Sequence, residues 1–78
     1  MTKIRLIGGP SLEIFCDDKN PIEAIKEFER VTGQKILYNE LPLYHIVMID
    51  GVQLSIFGND RKLKNVKEVV IIPLIHGG

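Results

Sequence analysis

Few residues of this chain can do chemistry: one cysteine, Cys16, two histidines, His45 and His76, a basic cluster of Arg61, Lys62, Lys64 and Lys67, and a Gly77-Gly78 ending. Cys16, His45 and His76 are scattered without metal-ligand spacing, so no metal site is expected. Asp17 and Asp18 beside Cys16 disfavour a thiolate, and Cys16 reads as a small buried apolar residue. His45 reads as a strand-edge residue, and His76 as either a solvated side chain or a contact for a partner. Gly8-Gly9-Pro10 is a turn and not a phosphate loop, because no Lys-Ser/Thr pair follows it. The ending carries the clearest chemistry. Two glycines make a strip thin enough to thread a narrow channel, and a terminal carboxylate, with an ordinary pKa of ~3.5, is ionised at neutral pH. Given ATP by a partner, that carboxylate is a nucleophile for the α-phosphate.

Seventy-eight residues make one small domain, residues 1–78, too short to enclose a sizeable pocket and still pack a core around it. The expectation is therefore a carrier or binding protein with no bound cofactor, and not an enzyme. The ten Lys and Arg balance the ten Asp and Glu, which argues against nucleic-acid binding. Apolar runs fall far short of the ~20 residues of a membrane span, no export signal is legible, and the lone cysteine forms no internal disulfide, so a cytoplasmic chain is expected. The charge is unevenly placed: residues 61–78 carry four Lys/Arg against one acid, residues 1–60 six against nine. The cluster Arg61, Lys62, Lys64 and Lys67 is either a solvated loop or a patch that steers docking onto an acidic partner.

The elements that must position the ending are legible from periodicity. Residues 3–7 alternate in the period of a half-buried strand, and residues 12–16 resume it after the Gly-rich turn, predicting a hairpin. Asn20-Pro21 with Glu23 three residues after Asn20 opens a helix. Its apolar face is Ile22, Ala24, Ile25, Phe28 and Val31, and Gly33 stops it. Residues 34–43 give no element. Residues 44–49 and 52–56 predict a second hairpin about Asp50-Gly51. The unbroken apolar run Val69, Val70, Ile71 and Ile72 predicts a strand covered on both faces in mid-sheet, ending at Pro73. Ile4, Leu6, Ile22, Ile25, Phe28, Leu63, Val69 and Ile71 should form much of the core. Strand, strand, helix, strand, strand, strand gives an α+β fold: a mixed sheet of four to five strands with one helix on one face, the β-grasp or ubiquitin-like arrangement. One helix covers one face, so Val70 and Ile72 are expected on the other as a docking surface.

The run from Leu63 to Val69, followed by Ile71-Ile72-Pro73-Leu74-Ile75-His76-Gly77-Gly78, resembles the end of the ubiquitin-like sulfur carriers, the MoaD/ThiS type that serves molybdopterin and thiamine synthesis. Asp50-Gly51 likewise resembles that family's hairpin turn. Val66 and Lys67 replace its usual Gly and Asp, so the turn before the last strand must be made differently. Leu74 replaces a second Pro, and the His-Gly-Gly ending is similar to that of the ubiquitin-related modifier of tRNA thiolation. The resemblance implies that an adenylating partner of the ubiquitin-activating type, using ATP, activates the carboxylate of Gly78, and that a sulfur donor converts it to a thiocarboxylate for a client enzyme. It implies partner contacts at Pro73, Leu74, Ile75 and His76, with Gly77 and Gly78 as the activated C-terminus. The same activated carboxylate also suits a protein modifier joined to lysines. A non-conjugating interaction domain is the third reading.

Overall fold

The computed structural model describes residues 1–8, 12–17, 20–54 and 66–74. The first strand, β1 (Thr2–Leu6), buries Thr2, Ile4 and Leu6 and turns Lys3 and Arg5 to the opposite face. It begins one residue before the predicted alternation. Thr2 can lie inside because its hydroxyl donates to the carbonyl of Val66 at 2.7 Å, which satisfies the buried polar group. β2 (Leu12–Cys16) pairs with it antiparallel, Ile4 opposite Ile14.

The helix α1 (Pro21–Thr32) starts and stops where the sequence signals place it. Asn20 Oδ1 accepts the Glu23 amide at 2.8 Å, and Gly33 closes the helix in the left-handed region at φ 76°. Pro21, Ala24, Ile25 and Phe28 are buried against the sheet. Ile22 is only half-buried and packs against the core from its edge. Val31, in the last turn and roughly 60° round the helix from Phe28, lies at the margin of the apolar arc and stays exposed.

Residues 34–43, which carry no periodicity, are held by side chains of α1. One Glu29 carboxylate oxygen accepts the amides of Ile36 at 2.7 Å and Leu37 at 2.9 Å, and both residues are buried. Asn39 and Glu40 follow with positive φ in a tight turn closed by a Tyr38–Leu41 bridge, and Lys26 reaches Glu40 at 2.9 Å. Lys26 therefore holds its proton above the ordinary lysine range, chiefly through this hydrogen bond.

β3 (His45–Ile49) and β4 (Val52–Gln53) meet across Asp50 and Gly51, whose φ of 45° and 84° are those a two-residue hairpin needs. Of the predicted return strand 52–56, the ladder covers Val52 and Gln53, Leu54 turns in to join the core, and residues 55 and 56 lie outside the described residues. Leu63, the remaining predicted core residue, lies outside the described residues. β5 (Glu68–Pro73) completes an α+β fold, among the described residues five strands in the order β2-β1-β5-β3-β4 with one helix on one face, the β-grasp arrangement. The last strand is central, parallel to β1 and antiparallel to β3. Its apolar run is not covered on both faces: Val69 and Ile71 are buried beneath α1, while Val70 and Ile72 are half-buried on the open face.

The turn into β5 is made by Asp50. Its carboxylate accepts the Glu68 amide at 2.9 Å and the Lys67 amide at 3.2 Å, and its own amide donates to Glu68 O at 3.0 Å. A side chain in one hairpin thus holds the start of β5, where Val66 and Lys67 stand. Asp50→Ala should destabilise the fold by about 2–3 kcal/mol, from two charge-assisted bonds and an alanine forced to positive φ. Asp50→Asn, which keeps an acceptor and tolerates that φ, should lose less. Urea unfolding midpoints at constant m-value distinguish the two, and equal losses would rule out this role.

Candidate functional site

The site begins where the chain leaves the sheet. The Ile7 amide donates to Ile71 O at 3.0 Å, extending the parallel ladder one residue past β1. In that ladder the next donor to Ile7 would be the amide of residue 73, and Pro73 has none. β5 therefore parts from β1 at Pro73. Gly8 stands beside it at φ 91°, where a Cβ would lie 3.1 Å from Pro73 Cγ, so a side chain at residue 8 would press on the proline ring. On the other flank the Leu74 amide still donates to Tyr44 O at 2.9 Å. Leu74, expected to be past the last ladder bond, is tied to the sheet by this bond. Ile75, His76, Gly77 and Gly78 lie outside the described residues.

The open face carries an apolar stripe leading to this point. Met48 pairs with Val70 and Ile46 with Ile72, all four half-buried. The Leu74–Tyr44 bond continues the alternation, making Tyr44 and Leu74, 52% and 43% exposed, the next pair. The expected docking residues Val70 and Ile72 are thus the middle of a stripe that includes Ile46, Met48, Tyr44 and Leu74. The period-two rule applied to residues 44–49 held the missing signal. Residues 44, 46 and 48 share a face opposite Val47 and Ile49, which are buried.

Beyond Val70 the same face turns charged. Arg5 is the β1 neighbour of Val70, and Lys3 that of Glu68. The Glu68 carboxylate lies 3.5 Å from Arg5 Nη2 and 4.0 Å from Lys3 Nζ. Phe15, opposite Lys3, is 58% exposed, with the Lys3 ammonium 6.0 Å from its ring centroid. Of the expected steering patch, Arg61, Lys62 and Lys64 lie outside the described residues, and Lys67 is exposed. Lys67 precedes β5, so a strand length of roughly 20 Å separates it from the Pro73 end.

The remaining candidates show packing environments. Cys16 is buried. His45 opens β3 opposite Pro73, its Nδ1 buried without a hydrogen-bond partner, and burial pushes its pKa below the ordinary histidine value. A notch of about 310 Å³ opens beside it between residues 41–43 and Leu54, walled mainly by aliphatic side chains. Among the described residues no three His, Cys, Asp or Glu gather as metal ligands, and no helix is long and apolar enough to cross a membrane. Neither protein-family models, curated proteins nor solved structures give a match to this chain.

Two outcomes check this placement. Ile71→Ala should cost about 2–5 kcal/mol as a cavity in the core, whereas Ile72→Ala on the half-open face should cost about 1 kcal/mol; equal losses in urea unfolding would mean the face is covered. His45 takes up a proton less readily folded than unfolded. Its contribution is therefore complete above pH ~6.5, the unfolded value, and is lost as pH falls below it. The thermal midpoint should drop between pH 7.5 and 5.5 by more in the wild type than in His45→Gln.

Proposed function

We propose that this chain is a ubiquitin-like sulfur carrier whose terminal Gly78 carboxylate is activated by a partner and converted to a thiocarboxylate. The observation that carries the reading is the path of β5: a last strand held in mid-sheet, released from β1 at Pro73, at the end of an apolar stripe on the face that α1 leaves open. The residues after Leu74 then start from a rigid point beside a surface suited to docking. That geometry turns a bimolecular encounter between a carboxylate and an active site into a positioned one.

In the proposed chemistry, a Gly78 carboxylate oxygen attacks the α-phosphorus of ATP held by an adenylating partner, and pyrophosphate leaves. A hydrosulfide-equivalent donor then attacks the acyl carbon. The C–S bond forms, the C–O bond to AMP breaks, and the thiol proton is released to solvent. A client enzyme in cofactor synthesis or tRNA thiolation consumes the product. The carrier contributes docking and reach, and the partner supplies the nucleotide site. Val70 and Ile72, with Ile46, Met48, Tyr44 and Leu74, form the docking face. Pro73 through His76 form the stem, and the two glycines the thread.

With an adenylating enzyme of the ubiquitin-activating type, ATP and a hydrosulfide donor, intact-mass measurement should show one oxygen replaced by sulfur. Deleting Gly78 should abolish the product with an unchanged thermal midpoint. Gly77→Val should block it as well, through the β-branched side chain. A Gly78-deleted chain that still gains sulfur overturns the carrier reading. Lysine-linked conjugates that depend on Gly78, formed without any thiocarboxylate, would replace it with the modifier.

A further inference from the structure

Resting on the carrier reading, we propose that Arg5 is the polar anchor of the docking face, binding a carboxylate side chain that the adenylating partner presents within an apolar surface. Arg5 adjoins Val70 at the edge of the stripe, and its guanidinium is underfilled. A guanidinium offers five donors in a planar fork. Here the only ion-pair partner among the described residues is Glu68, at 3.5 Å, against about 2.7–2.9 Å for a well-formed charge-assisted bond. The same carboxylate is divided with Lys3. Arg5 Nε is shielded from water and has no hydrogen-bond acceptor, so the open capacity of the fork lies at its terminal nitrogens, on a side chain that is 39% exposed. Glu13, cross-strand from Arg5, is exposed and forms no ion pair with it among the described residues.

The occupant follows by complementarity. Ile46, Met48, Val70 and Ile72 ask for an apolar surface, and the unsaturated fork at their edge asks for one planar anion within it. A carboxylate accepting from Nη1 and Nη2, at the solvent-facing end of the half-exposed fork, takes the place of Glu68, which stays paired with Lys3. Glu68 is therefore an internal competitor for the anchor. Lysine would be a poor replacement, because a point charge on a flexible stem reproduces the charge and not the fork.

The test measures pyrophosphate release by a purified adenylating enzyme from the same organism as the full chain is titrated. Arg5→Gln should raise the half-saturating carrier concentration about tenfold or more with the maximal rate unchanged, and Arg5→Lys, which keeps charge and stem, should still raise it severalfold. Glu68→Gln should lower it by about twofold or more, because the competitor has gone. Thermal unfolding of each variant separates docking from folding. Wild-type and Arg5→Gln chains that saturate alike would overturn the anchor and leave the carrier reading standing. A Glu68→Gln chain that binds as weakly as Arg5→Gln would reduce Lys3, Arg5 and Glu68 to a structural cluster and also overturn it. A wild-type chain that no such enzyme adenylates overturns the carrier reading, and the anchor with it.

Discussion

The parallel pairing of β1 with β5 is the contact on which the rest of the molecule depends. It joins the two ends of the chain, residues 2–7 with 66–71, and Thr2 reaches across it to Val66 inside the core. Without it the sheet divides into a two-stranded piece, β2-β1, and a three-stranded piece, β5-β3-β4. The entropic cost of closing so long a loop grows only with the logarithm of its length, so the pairing is affordable at equilibrium. It is also the most non-local contact in the fold, and such contacts slow folding. The Asp50 carboxylate bears on this point. It belongs to the second hairpin, which can form locally, and it holds two amides at the beginning of β5. The second hairpin thus carries a preformed receptor for the strand that joins both halves.

What was legible in the sequence divides along the same line. Both caps of α1, the Asp50-Gly51 turn and the central place of the last strand could be read because each depends on neighbouring residues or on an unbroken run. Three features could not. Glu29 organises Ile36 and Leu37, seven and eight residues on, and no periodicity marks a helix carboxylate for that task. Asp50 was visible as a turn residue, whereas its second task depends on a partner 17 residues away. The apolar run of β5 suggested burial on both faces, because a run by itself does not reveal how many layers are available to cover it. The composition of the open-face apolar stripe was half legible, through Val70 and Ile72. Its other half needed the β3 register, which sequence periodicity fixes only once the pairing partner is known.

The open face is a consequence of architecture, and its division into two halves is a property of this sequence. A 12-residue helix is roughly 18 Å long, and five strands at ~4.8 Å spacing are wider than one helix can shield on more than one face. Over β1 and β2 the uncovered positions are Lys3, Arg5, Glu13 and Phe15, mostly charged, as suits a surface left in water. Over β5 and β3 they are Val70, Ile72, Ile46 and Met48. Solubility alone would favour charges on both halves. The apolar half is confined to the strands that lead to Pro73.

The two flanks of β5 end their pairing at different residues. On the β1 side the ladder ends at Pro73 for want of an amide, while on the β3 side the Leu74 amide still bonds to Tyr44. β5 is thus freed from β1 while Leu74 is still held beside β3, the strand that carries Ile46 and Met48. Gly8 contributes by being small, since a side chain there would press on the proline ring. Proline, glycine and one backbone bond therefore hold Leu74 on the β3 side, at the end of the apolar half of the face. In the proposed carrier, a surface docking on that half reaches Leu74 at its own edge, away from the charged half.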